Sequence, residues 1–256
     1  MSFAVAPSAY DRFMGQYSVQ LSSQLADLAG VAAGTRAIDV GCGPGALTGE
    51  LVARLGESSV AAVDPSEPFV AAARERYPGV DVRLAPAESL PFPDGSFDAA
   101  LAQLVVHFMS DPAGGIREMA RVVRPGGTVV ACVWDHAGDR SPLTPFWLAA
   151  HQVDPGVGDE SALAGAREGH LVELFEGAGL EDVSGTVLTA RVEHATFDAW
   201  WELFTLGVGP AGAYAAGLDE EARAALRERC RESLGDGPFV IEGCAWAAKG
   251  SCVSTA

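Results

Sequence analysis

The sequence predicts an α/β protein: a doubly wound, mostly parallel seven-stranded sheet carrying helical cap elements. Three observations lead there. Short apolar runs alternate with amphipathic stretches between residues 36 and 135. Two of those runs, Val60-Ala61-Ala62-Val63 and Thr128-Val129-Val130-Ala131-Cys132-Val133, are apolar almost without alternation, as strands covered on both faces must be. A glycine-rich turn, Gly41-Cys42-Gly43-Pro44-Gly45, sits between the first run and the amphipathic stretch that follows it.

The elements follow in order. Leu21, Leu25 and Leu28 recur at helical spacing in 19–29, behind a lead containing Tyr10, Phe13 and Tyr17. Residues 36–40 read as a buried strand, and Leu47, Leu51 and Leu55 mark one face of the next helix. Residues 60–64 are a second strand, after which Ser66 is placed to cap a helix running to Tyr77. Residues 80–86 alternate as a third strand and 97–102 form a fourth. Ile116, Met119, Ala120 and Val123 give a helix an inward face, stopped by Pro125-Gly126-Gly127. A fifth strand covers 128–135.

Beyond Trp134 the pattern changes to a stretch rich in Pro, Gly and Asp with one aromatic knot, Pro145-Phe146-Trp147. A helix with Leu171, Leu174, Phe175 and Ala178 inward, a strand at 182–193, a helical region at 196–234 and a last strand at 238–248 complete the chain. The expected organisation is one domain over 1–256. Its core is 34–134, 169–195 and 238–249, and its cap segments are 1–33, 135–168 and 196–237.

Charge narrows the partners. The 17 basic against 34 acidic residues give a net charge of −17, which repels phosphate backbones and anionic lipid heads. The expectation is a small-molecule partner, with neither nucleic acid nor membrane. No apolar run approaches the ~20 residues of a membrane span, and the opening residues have neither a basic n-region nor a long enough apolar stretch for a signal peptide. The five cysteines form no CxxC pair, which points to reduced thiols in a cytoplasmic protein rather than a zinc site.

The glycine turn carries the chemistry. Glycines let backbone approach a ligand closely, and a loop feeding a helix N-terminus presents free N–H groups. Asp64 ends the second strand, where a carboxylate can accept both hydroxyls of a ribose. Gly41-x-Gly43-x-x-Ala46 formally fits a dinucleotide fingerprint. Asp39, two residues before the first glycine, would instead repel a pyrophosphate and suit a cationic amino group.

The ordered set Asp39–Gly45, Ala87-Glu88-Ser89-Leu90-Pro91-Phe92, Gly95-Ser96-Phe97-Asp98 and Arg124-Pro125-Gly126-Gly127 resembles the class I S-adenosylmethionine-dependent methyltransferases. Within them it is similar to the small-molecule type 11 group that includes quinone-biosynthesis C-methyltransferases. The resemblance is strongest over 37–134 and implies a Rossmann-like fold with S-adenosyl-L-methionine as cofactor and S-adenosyl-L-homocysteine as product. It implies that Asp39, Gly41, Cys42, Gly43 and Gly45 line the methionine end, that Asp64 and Pro65 meet the ribose, and that Ala87 and Glu88 meet the adenine. Gln103 and Leu104 would close the pocket. Relatives often carry Asp before the Ala-Glu pair; here it is Pro86, which leaves the adenine amino contact to Glu88 or to backbone.

Methyl transfer to a protic oxygen or carbon also calls for a general base. His107, just beyond the fourth strand, is the candidate, with packing against the cofactor as its other reading. His136, after the fifth strand, is a second candidate, with a solvated loop residue as its favoured reading. The acceptor pocket is expected from Tyr10, Trp134, Phe146, Trp200 and Phe204, an apolar set suited to a small aromatic or greasy acceptor methylated at O, N or C. Only Gln103 and Asp135 stand where strand-end metal ligands would be needed, so no metal is expected. The alternatives are an NAD(P)-dependent oxidoreductase and a protein that binds the cofactor without methyl transfer.

Overall fold

A computed structural model describes residues 6–253. The first five residues of the expected cap segment 1–33, and the last three of the chain, lie outside the described residues.

Strands β1 (Ala37–Val40), β2 (Val60–Asp64), β3 (Asp81–Leu84), β4 (Phe97–Gln103), β5 (Val123–Trp134), β6 (Glu181–His194) and β7 (Phe239–Ser251) form one sheet in the order β3-β2-β1-β4-β5-β7-β6. The first five strands run parallel, and β7 is antiparallel to both β5 and β6. Successive side chains leave a strand on opposite faces. Accordingly Ala37 and Ala62 enter one hydrophobic layer, while Ile38, Val40, Ala61 and Val63 enter the other. This explains why both strands are apolar apart from Asp39 and Asp64.

The chain starts as α1 (Pro7–Tyr10), passes through a π-helical turn at Asp11–Gly15, and continues as α2 (Gln16–Ala29). Helices α3 (Ala46–Leu55), α4 (Glu67–Arg76) and α5 (Pro112–Val122) follow β1, β2 and β4. Ser66 occupies the N-cap position of α4 without a side-chain cap bond, whereas Asp111 caps α5 by accepting from the Gly114 N–H. The remaining helices are α6 (Thr144–Val153), α7 (His170–Gly177), α8 (Phe197–Phe204), α9 (Gly209–Gly217) and α10 (Glu220–Leu234). Among the described residues no helix is long and apolar enough to cross a membrane.

Two expectations change. The fifth strand begins at Val123, so Pro125-Gly126-Gly127 lies inside β5 rather than ending the helix. Val123 pairs with Phe97, and a Cβ on Gly127 would meet the Asp98 carbonyl oxygen at 2.6 Å. The glycine is there for strand-to-strand approach. The 135–168 stretch also contains a regular helix, α6, because its aromatic knot packs inward: Phe146 is fully buried.

Candidate active site

The order of the sheet reverses between β1 and β4, and a cleft opens there at the carboxyl ends of the strands, the usual ligand position in such sheets. Gly41 leaves β1 at φ 74°, and a Cβ on it would stand 2.4 Å from Cγ2 of Val105. No other residue fits this approach. The Gly43 N–H donates to Oδ2 of Asp64 at 2.8 Å, and the Ser66 N–H donates to Oδ1 at 2.8 Å. Asp64 therefore ties the glycine loop to the start of α4. Burial raises its pKa, opposed by those two donors.

Asp39 lies beneath the loop. Thr48 Oγ1 donates to its Oδ2 at 2.6 Å, while Oδ1 is buried without a hydrogen-bond partner. Burial, with the negative charge of Asp64 adding to it, pushes the Asp39 carboxyl up to about 7.

The cleft has a volume of about 430 Å³. Of the residues expected at the cofactor, Gly41, Gly43, Asp64, Pro65, Ala87, Glu88, Gln103 and Leu104 line it. Asp39, Cys42 and Gly45 do not. Asp39 is under the loop, the Cys42 thiol is buried and pushed well up, and Gly45 borders a separate groove with Arg76 and Tyr77. Ser66, Phe69, Val105, Phe108, Met109 and Ser110 also line the cleft, and sequence reasoning missed them.

Glu88 Oε1 accepts from the Ser110 and Asp111 N–H groups at 2.7 and 3.2 Å, so it fixes the segment after β4 as well as facing the cleft. Gln103 Nε2 donates to the Ser18 carbonyl at 3.0 Å, and its Oε1 is buried without a partner. Leu104 holds φ 59°, a left-handed conformation that costs a non-glycine residue about 1–3 kcal/mol and clusters at functional sites.

A smaller recess of about 40 Å³ adjoins the cleft. Tyr10, Leu104 and Phe108 line both spaces. Burial raises the Tyr10 hydroxyl to about 12, so it stays a neutral phenol. Phe13, Met14, His107, Trp134, Leu143, Glu160 and Val208–Ala211 complete the recess. Of the residues expected at the acceptor, Tyr10 and Trp134 line this recess.

Phe146, Trp200 and Phe204 do not. Phe146 stacks on Phe204 with ring centroids 4.4 Å apart, Trp200 meets Phe204 edge-on at 4.7 Å, and all three are core residues. They join the cap helices to one another, each such pair being worth ~0.5–1.5 kcal/mol beyond area burial.

The polar end of the recess differs most from expectation. His107 is buried in a 3-10 turn after β4. His136, expected in solvent, is buried just after β5, beside Asp135, which accepts from the Gly138 N–H and from Arg140. Glu160, which no sequence signal marked, is buried with its Oε2 accepting from Trp147 Nε1 at 2.9 Å.

One ligand atom from each of His107, His136 and Glu160 lies within 4.8 Å of the others. His107 Nδ1 and both ring nitrogens of His136 have no hydrogen-bond partner. Burial lowers His107 well below its ordinary range and His136 to about 4, and raises Glu160 to about 7. The expectation of no metal weighed only Gln103 and Asp135; a different set of ligand types converges here.

Comparison with known proteins decides the family. A methyltransferase-domain family matches residues 38–131. A probable S-adenosylmethionine-dependent methyltransferase of Mycolicibacterium smegmatis is 32% identical over 181 residues, covering 66% of this chain and 68% of that one. The chain belongs to the S-adenosylmethionine-dependent methyltransferases. It is also 39% identical over 121 residues to a demethylmenaquinone methyltransferase of Tropheryma whipplei, spanning about half of each (46% and 48%). The fold matches that of the YcgJ protein of Bacillus subtilis with a TM-score of 0.58 at 19% identity, over 91% of this chain and 98% of that one. Membership makes S-adenosylmethionine the cofactor of this methyltransferase and sets aside the oxidoreductase alternative.

Proposed function

We propose that the enzyme holds S-adenosylmethionine in the 430 Å³ cleft and moves its methyl group to O, N or C of a small, apolar or aromatic acceptor in the adjoining recess. The observation that carries this reading is the shared wall: Tyr10, Leu104 and Phe108 border both spaces. An acceptor in the recess would therefore abut whatever part of the cofactor reaches that wall.

The residues fit the cofactor. Oε1 of Gln103, on the cleft wall, is a buried acceptor without a partner, complementary to an ammonium donor, and Asp39 beneath the loop carries a second unpartnered oxygen, Oδ1, close behind that wall. Asp64 keeps a lone pair on each oxygen beyond its two backbone donors, enough for two ribose hydroxyls. Ala87 and Glu88 also border the cleft, where the adenine would lie. The bound cofactor supplies an electrophilic methyl on a sulfonium, displaced in line while the electron pair of the broken bond stays on sulfur. The carboxylates of Asp39 and Asp64 favour a cationic ligand in this low-dielectric setting. The apolar wall of Tyr10, Phe13, Met14 and Trp134 would keep water from the transferring methyl.

At about 40 Å³ the recess has room for only a few waters. The Val208–Ala211 segment at the start of α9 must therefore shift to admit an acceptor. Ala211→Trp fills the recess without touching the cleft. Mass-spectrometric detection of S-adenosylhomocysteine over a panel of phenols, quinols and amines should find turnover in the wild type. The variant should lose that turnover while calorimetry shows unchanged cofactor binding. Undiminished turnover by the variant would move the acceptor elsewhere.

A further inference from the structure

We propose that His107, His136 and Glu160 form a binding site for one divalent first-row transition ion of the zinc class. The side chains arrive from three separate places: the turn after β4, the end of β5, and the loop beyond α6. All three are buried, and their ligand atoms lie within 4.8 Å of one another. Around a tetrahedral zinc at ~2.0–2.1 Å, ligand atoms stand ~3.4 Å apart. Binding therefore needs a closure of up to about 1.4 Å, shared among the three side chains.

Three independent features point to a ligand. Buried polar atoms almost always have partners, yet His107 Nδ1 and both ring nitrogens of His136 have none. A coordinated ion would take one lone pair from each imidazole and so compensate at least one of the two unpartnered nitrogens of His136. The carboxylate is oriented by an outer hydrogen bond, Trp147 Nε1 to Oε2 at 2.9 Å, the arrangement that commonly positions a metal ligand. Two imidazoles and one carboxylate are also the donor set of sites that keep a coordination position open.

His107 and Glu160 border the recess, so the open position faces it and would take an oxygen or nitrogen donor. Only that last use rests on the proposed acceptor site; the ion site itself stands on its three side chains.

The test needs no acceptor, so its outcome is separate from that of methyl transfer. The metal-stripped full chain is titrated with Zn²⁺ by calorimetry and with Co²⁺ by visible absorption. The expected result is one ion per chain with a Zn²⁺ dissociation constant below about 1 µM and the intense visible bands of low-coordinate Co²⁺. His136→Gln and Glu160→Gln should each abolish both signals while S-adenosylhomocysteine binding persists as the check on folding.

Trp147→Phe keeps an aromatic ring in place and removes only the outer hydrogen bond, so it should weaken Zn²⁺ about 10–100-fold. It serves if a ligand variant fails to fold. Absence of a stoichiometric ion in the wild type would overturn the site, as would Co²⁺ bands that survive in folded ligand variants or Zn²⁺ affinity unchanged in Trp147→Phe.

Discussion

Asp39 offers the sharpest quantitative test, because its carboxyl is buried, half-bonded and raised. In the unfolded chain it ionises near its ordinary value of 3.8; in the fold it keeps its proton to about 7. Between those values the folded state binds more protons than the unfolded state, so this group lowers stability as pH rises, with no further change above about 7. Three powers of ten in proton affinity correspond to roughly 4 kcal/mol. This is an upper figure, since water entering beneath the loop relieves part of it.

Asp39→Asn removes the titration and keeps an oxygen for the Thr48 hydroxyl. Denaturant unfolding of the cofactor-free proteins at pH 4 to 8 should show the variant gaining on the wild type by up to ~4 kcal/mol across that window. Cofactor binding should show the opposite preference. A cationic amino group near Asp39 stabilises the carboxylate, so wild-type affinity should rise with pH through about 7. At pH 7 binding should release up to about half a proton, visible as a difference in calorimetric enthalpy between phosphate and Tris buffers. The Asn variant should bind more weakly and release none of that share. Equal affinity and equal proton release in the two proteins would remove Asp39 from cofactor recognition.

Other perturbations read other parts of the site. Asp64→Ala should weaken S-adenosylmethionine by about 1.5–3 kcal/mol, the worth of hydrogen bonds to a charged group; unchanged calorimetric affinity in a folded variant would refute the ribose assignment. Gly41→Ala should cost about 2–4 kcal/mol of stability, through its left-handed φ and its approach to Val105. Adding Val105→Ala should restore part of that loss in thermal unfolding, and no restoration would mean that Val105 is not the obstacle. Phe204→Ala should destabilise the fold by about 3–5 kcal/mol, as expected for a fully buried ring, with cofactor affinity unchanged. A raised acceptor KM at nearly intact stability would instead return Phe204 to the acceptor wall.

The sheet, the order of its helices and the cofactor class were legible in the chain because each depends on local pattern. Apolar runs such as Val60–Val63 have no other way to be buried. Gly41 and Asp64 could be placed at the cleft because each borders the turn that ends a strand, whereas the approach of Gly41 to Val105 is visible only in the fold.

Tertiary packing decided what chemistry alone left ambiguous. An aromatic ring that fastens helices has the same composition as one that faces a ligand, and only the docking of α6 on α8 put Phe146 and Phe204 in the core while Trp134 stayed at the recess. The left-handed turn at Leu104 arises from how β4 ends against β5, where its N–H meets the Cys132 carbonyl, and nothing in the identity of a leucine announces it. His136 and Glu160 are 24 positions apart in a stretch without periodicity, and Glu160 is 53 positions from His107. Their meeting depends on long-range burial, which is a property of the packed chain and has no signature in sequence spacing.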